Sequence, residues 1–226
     1  MNSPPYSISE ANRYGWGPAA NKLDPTKKAT LDTYILGSKV VDLGCATGRY
    51  TGYIASKGLA ATGIDHNPQF IALAKKLSPK VKFILGDALK LPLANKSFDT
   101  AVAFDLLEHL PEAAFLKEIT RITRKRIILT VPHTTDTDLI QHYLLYGHHA
   151  DTTHLRTYTP DQLGKLCRSH GLHQIALFPS HPLSPEAIFM DLFSGPIILK
   201  KIIRRLVLVC LRPRRFPTNL TLVADL

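Results

Sequence analysis

The chain has 226 residues, 45% of them hydrophobic and 20% charged, the proportions of one folded domain with a sizeable core. These proportions exclude a disordered chain, a collagen and a coiled coil. The formal net charge is +10, and three widely spaced cysteines (Cys45, Cys167 and Cys210) make neither a disulfide scaffold nor a zinc ribbon.

The odd cysteine count fits a reducing compartment, and a cytoplasmic protein is expected. The N-terminal MNSPPYSISEANRYGWG has no apolar h-region, so no secretory signal is expected. Without a run of about 18 apolar residues, no transmembrane helix is expected either. The charge is uneven. Residues 192–226 hold seven basic side chains and one acidic, against 21 and 17 in residues 1–191. Such a segment suits nucleic acid, an anionic membrane surface or an acidic substrate.

In chain order, Lys39–Leu43 (KVVDL) reads as a buried strand ending at Gly44. A helix follows from about Gly48 to Lys57. Ala60–Asp65 (AATGID) is a second strand, ending in a carboxylate. Pro68 opens a helix through Leu77. Val81–Leu85 and Ser97–Phe104 are the third and fourth strands, and Glu112–Thr123 is an amphipathic helix. Arg126–Val131 is the fifth strand. Residues 133–157 have weak periodicity, the mark of a lid-like insertion. Thr159 or Asp161 caps a helix near Pro160–His170, which Gly171 ends. Leu220–Ala224 is a final strand. Strands alternating with helices predict a doubly wound α/β sandwich on a mostly parallel sheet. Ligands of such sheets bind beyond the carboxyl ends of the strands.

The strongest local pattern is VVDLGCATGRY, Val40–Tyr50: strand, carboxylate, small-residue turn, helix. Gly44 and Gly48 let backbone approach a ligand. The turn is GxAxG, so it is neither a dinucleotide GxGxxG nor a Walker loop. Asp42 would repel a phosphate and suits an amine or other cation.

At these residues the chain resembles the class I S-adenosylmethionine-dependent methyltransferases, in the group that includes the ubiquinone and menaquinone methyltransferases. The resemblance spans roughly residues 38–175. Val40–Gly48 is similar to the family's first motif, with Ala46 at its middle glycine; a methyl group there suits an ordinary backbone angle. The resemblance implies a Rossmann-like seven-stranded sheet with the last strand antiparallel. It also implies S-adenosyl-L-methionine as cofactor and S-adenosyl-L-homocysteine as product. Asp42, Gly44, Ala46 and Gly48 would form the loop. Asp65, beside His66, would accept both ribose hydroxyls. Asp87 would meet the adenine amino group, Ala88 the ring wall, and Phe104 the other side of the cofactor. Asp105 would contact the cofactor's amino group.

The position after the fourth strand reads Phe104-Asp105-Leu106-Leu107 rather than the (D/N/S)-P-P-(Y/F/W) of methyltransferases acting on base amino groups. His109 and His133 are the candidate bases. Tyr14 and Trp16 fold over cofactor or substrate, or pack on the sheet. His142, His148, His149, Asp151 and His154 crowd one stretch, but their spacing fits no closed zinc motif. The resembled group generally needs no metal, so none is expected. HHADTTHLRTYTPDQL is similar to a segment bordering the acceptor pocket in the same group, which makes His154, Arg156 and Tyr158 substrate-side or lid-anchoring residues.

Projected on a helix, Lys200, Lys201, Arg204, Arg205 and Arg212 fall within an arc of about 140°. Ile198, Leu199, Ile202, Ile203 and Leu206 lie opposite. Such a helix seeks an anionic membrane interface or packs its apolar face on the sheet. Nucleic acid is disfavoured, since no Tyr or Trp interleaves the charges.

A single domain is expected over 1–226: a cap segment at 1–37, a cofactor-binding core at 38–131, a lid or substrate loop at 132–158 and a basic amphipathic helix at 196–215. The expected function is methyl transfer to oxygen or carbon of a small or lipid-linked acceptor, quinone-like or sugar-like, with peripheral membrane contact. Two alternatives stand beside it: a non-catalytic cofactor-binding protein of the same fold, and an RNA methyltransferase using the basic segment. The sequence leaves the oligomeric state open.

Overall fold

The β-branched run Lys39–Leu43 forms β1, buried at every position but Lys39. A computed structural model describes residues 6–13, 17–19, 23–133, 153–183 and 216–226, with Pro196, Ile198, Leu199, Ile202, Ile203, Arg205 and Leu206 between. The further strands are β2 (Ala60–Asp65), β3 (Lys82–Leu85), β4 (Phe98–Phe104), β5 (Thr123–Pro132), β6 (His173–Leu183) and β7 (Phe216–Asp225). They form one seven-stranded sheet in the order β3-β2-β1-β4-β5-β7-β6. All neighbours among β1 to β5 pair parallel, and β7 runs antiparallel between β5 and β6. The expected doubly wound, mostly parallel sheet with an antiparallel last strand is the one observed.

The helices are α1 (Ile8–Arg13), α2 (Pro25–Tyr34), α3 (Arg49–Ser56), α4 (Pro68–Leu77), α5 (Glu112–Ile122) and α6 (Pro160–Ser169). Alternate strand residues serve opposite faces of the sheet. Val41 and Ala101 join Phe115, Ile119, Leu163 and Cys167 from α5 and α6 in one core. Val40 and Val102 join Leu31 of α2 and Ile54 of α3 in the other. Because helices cover both faces, β1 and β4 are buried almost throughout rather than alternating.

Two strands, β5 and β7, are longer than the sequence suggests, and a third, β6, is one the sequence reading did not delimit. β5 begins at Thr123, straight from α5, and its polar Arg124 and Lys125 lie on the exposed end of the ladder. β7 begins at Phe216 although Pro217 follows. β6 carries Pro179 and Pro182, tolerated because β6 is an edge strand with one unpaired side. Thr159 supplies a full capping box to α6 with Gln162. The strand order reverses between β1 and β4, so the crevice for a ligand opens at their carboxyl ends.

Candidate functional site

The turn after β1 is held in an unusual backbone conformation. Gly44, Ala46 and Gly48 have φ of 68°, 46° and 77°. A Cβ on Gly48 would lie 2.6 Å from the Phe83 ring, so glycine is required there for space as well as conformation. Ala46 departs from expectation: its angle is left-handed, where a methyl group costs roughly 1–2 kcal/mol. Its N–H donates to Asp65 Oδ2 at 2.8 Å, which holds the strained turn. The Thr47 hydroxyl is buried in the same turn and has no partner among the described residues. α3 starts at once, with Gly48 as its N-cap.

Asp42 is the last residue but one of β1 and Asp65 ends β2, and both are buried. Asp42 accepts from Thr51 Oγ1 at 2.6 Å. Burial, reinforced by the Asp65 charge, pushes its carboxyl up to about 7. Burial likewise raises Asp65, whose oxygens accept from the backbone N–H groups of Ala46 and Asn67, both at 2.8 Å. Asp65 therefore staples the glycine turn to the head of α4, a role the sequence did not show. Its second lone pairs remain suited to further donors. Cys45, between the two carboxylates, is buried, and burial holds it as a thiol. His66 and Asp87 are exposed and Ala88 is half-buried. Asp87 closes its own turn by accepting from Leu89 N–H at 2.8 Å.

Phe104 ends β4 and meets Tyr50 edge to face, 5.1 Å between centroids. Asp105 beside it has φ of 52° and is fastened from three elements. Its Oδ1 accepts from Thr130 Oγ1 at 2.8 Å and Asn219 Nδ2 at 2.7 Å, and its Oδ2 pairs with Lys27 of α2. Burial works against the Lys27 charge, but Asp105 overrides it and holds the ammonium above its ordinary range. Sequence reasoning missed Lys27, Thr130 and Asn219; a polar residue mid-strand in Leu220–Ala224's extension was the one available signal.

The segment after β4 is a 3₁₀ turn, Leu107–His109, with Glu108 fully buried. His109 Nδ1 lies 3.0 Å from Thr153 Oγ1 and 3.2 Å from Thr153 O. Its ring meets the His154 ring at 4.6 Å between centroids, with 65° between the planes. Glu108, His109 and His154 bring ligand-type atoms within 4.8 Å of one another. Tyr6 closes the same corner, its hydroxyl 2.8 Å from Thr153 Oγ1. His133 follows β5; its Nδ1 is buried with no partner among the described residues. Arg156 donates to Leu110 O at 2.7 Å, and Tyr158 is a core residue whose N–H bonds Pro132 O. Those contacts are anchoring ones. Tyr14, Trp16, His142, His148, His149 and Asp151 lie outside the described residues.

Residues 41–130 match a family model described as "Methyltransferase domain". Over those residues the chain is thus similar to a methyltransferase domain. Demethylmenaquinone methyltransferase of Beutenbergia cavernae is 32% identical over 129 residues, 56% of this chain and 54% of that protein. The chloroplastic tocopherol O-methyltransferase of Arabidopsis thaliana is 37% identical over 92 residues, 37% of this chain and 26% of that protein. The matches thus span about half the length of these relatives or less. A SAM-dependent methyltransferase from Archaeoglobus fulgidus shares the fold at a TM-score of 0.63 and 18% identity, covering 88% of this chain and 93% of that one. The matched residues include every candidate cofactor residue from Asp42 to Asp105.

Proposed function

We propose that the protein methylates an oxygen or carbon of a small or lipid-linked acceptor, with S-adenosylmethionine as donor. The observation that carries this reading is the turn at Gly44–Gly48. It presents strained backbone and a buried Thr47 hydroxyl, without a partner among the described residues, at the crevice where the strand order reverses. Those features fit a polar, cationic cofactor next to the buried Asp42 carboxylate. When bound, S-adenosylmethionine supplies a methyl carbon activated by its sulfonium sulfur.

The chain's own residues have separate tasks. Gly44, Ala46, Thr47 and Gly48 would hold the cofactor by backbone and hydroxyl. Asp65 would take the ribose through its remaining lone pairs, Asp87 and Ala88 the adenine, and Phe104 the opposite wall. Holding two reactants in register is the larger part of such catalysis. His109 and His133 would take the acceptor's proton.

The relatives' names, demethylmenaquinone methyltransferase and tocopherol O-methyltransferase, support a quinone-like acceptor. A membrane-borne acceptor agrees with the helical residues near 200. Ile198, Leu199, Ile202 and Leu206 are 70%, 43%, 52% and 58% exposed, so their apolar faces meet no core. Among the described residues no helix is long and apolar enough to cross a membrane. The arrangement suits a helix lying in an anionic interface.

Calorimetry with S-adenosylhomocysteine tests the reading, with NAD and ATP as controls. Micromolar binding of the sulfur compound alone is expected, weakened at least about tenfold in Asp65→Ala by loss of the ribose acceptor. No binding would leave a non-catalytic protein of this fold.

A further inference from the structure

We propose that His181 is a positioning residue for the cofactor crevice: it joins the two arms that fasten Asp105 and makes their hold depend on pH. The effect on the cofactor rests on the methyltransferase reading; the fastening itself does not.

Both arms start at this one residue near the end of β6. In the first, His181 Nδ1 lies 2.7 Å from Asp24 Oδ2. Asp24 is the N-cap of α2, and its Oδ1 accepts from Lys27 N–H at 2.8 Å. The Lys27 ammonium then pairs with Asp105 Oδ2. In the second arm, the Thr218 hydroxyl of β7 donates to His181 O at 2.9 Å and lies 2.6 Å from Asn219 Oδ1. With its oxygen turned to Thr218, the Asn219 amide presents Nδ2 to Asp105 Oδ1, at 2.7 Å. The arms therefore grip the two oxygens of one carboxylate and meet again at His181. The ring they close runs through α2, the end of β4, β7 and β6.

The backbone marks the same two residues. His181 and Asp105 have φ of 51° and 52°. That left-handed region costs a side chain free energy and persists where the surroundings impose it. At His181 the surroundings are Asp24 on the imidazole and Thr218 on the carbonyl.

The pair of His181 and Asp24 gives the ring its sensitivity. Burial works to raise the Asp24 carboxyl, but the His181 bond, the Lys27 N–H and the charges of both residues outweigh it and hold it below the ordinary carboxylate range. Asp24 N–H also donates to the Tyr50 hydroxyl at 3.2 Å. The titratable groups facing this corner are thus Asp24 and Lys27 from α2 and Tyr50 from α3, while β7 contributes the neutral Thr218 and Asn219. Imidazoles change charge between about pH 5 and pH 8. The imidazolium holds a carboxylate by a charge-assisted bond, and the neutral ring holds it more weakly. Rising pH therefore loosens the cap of α2, and with it Lys27 and Asp105. Asp105 stands beside Phe104 where the crevice opens, so its position sets the shape and charge of that wall. A wall held in place before the cofactor arrives binds it more tightly than one that must be ordered.

The test compares the full chain with His181→Ala and His181→Asn. Asparagine keeps an N–H donor at the place of Nδ1 and tolerates a left-handed backbone, but carries no charge at any pH. Hydrogen exchange at the Lys27 amide reads the first arm, and calorimetry with S-adenosylhomocysteine reads the crevice. In His181→Ala, Lys27 protection should fall about tenfold and affinity about fivefold, with both restored in His181→Asn. Asp42 titrates near 7 in every variant, so parent and His181→Asn are compared at each pH. Between about pH 6 and pH 8 the parent's affinity should fall about threefold relative to His181→Asn. Unchanged protection in His181→Ala overturns the proposal, and so does an equal loss in both variants or a flat ratio of affinities across pH. Lys27 protection that is lost in His181→Ala and regained in His181→Asn, in a chain that binds no S-adenosylhomocysteine, supports the fastening and overturns the methyltransferase reading.

Discussion

The charge state of Asp42 couples the glycine turn to pH. Its carboxyl titrates near 7 because burial and the Asp65 charge penalise the anion; Thr51 and, at longer range, Lys27 oppose them. A carboxyl that is higher in the fold than in the unfolded chain favours folding when protonated. Its contribution is full below about pH 4 and is lost as pH rises to about 7. Asp42→Asn removes that dependence. Urea titrations should show the parent chain losing about 2–3 kcal/mol more than the variant between pH 5 and pH 7. Equal slopes would mean that Asp42 is ionised throughout. Ala46 offers an independent check on the same turn. With its φ of 46°, Ala46→Gly should relieve strain and raise stability by about 0.5–1 kcal/mol, a rise of about 2 °C in melting temperature. A fall in Tm would place the turn in an ordinary conformation.

At the scale of elements, α2 is the informative one. Its N-cap Asp24 accepts from Lys27 N–H at 2.8 Å, and Lys27 then reaches Asp105 at the end of β4. The N-terminal segment thus fastens itself to the crevice. The pair is 16% and 31% exposed, so solvent screens it in part. Lys27→Met should cost about 1–2 kcal/mol in urea unfolding, below the range for a fully buried pair. A loss under about 0.5 kcal/mol would mean that Thr130 and Asn219 satisfy Asp105 without the lysine. None of this was legible beforehand, because residues 25–34 carry no strong apolar periodicity and the contact spans 78 positions. By contrast, β1 to β4 were legible to within a residue or so, since each is an apolar run punctuated by Gly, Asp or Pro. β7 was legible only at Leu220–Ala224 and β6 was not delimited at all, as prolines that weaken a strand in isolation are harmless on an edge strand or near a strand end.

Over the whole molecule, charge is segregated: a nearly balanced domain carries a basic C-terminal stretch with exposed isoleucines and leucines. The protein should therefore sediment with vesicles containing anionic lipid, and less so as salt rises. Replacing Lys200, Lys201, Arg204 and Arg205 with Gln should cut the bound fraction severalfold. Retention on neutral vesicles, or none on anionic ones, would remove the membrane from the proposed function.

The sequence by itself determined the α/β class, the order of the central strands' residues and the glycine turn, because these depend on local spacing and on which residues can leave water. It also pointed to Asp42, Asp65 and Asp87 at strand ends. Only the tertiary structure decided that Ala46 is left-handed, that Asp65 braces the turn, and that Lys27 and Asn219 meet at Asp105. It alone set Glu108 and His109 beside His154. Those are contacts between segments far apart in the chain, and nothing in the local pattern of either partner encodes the other.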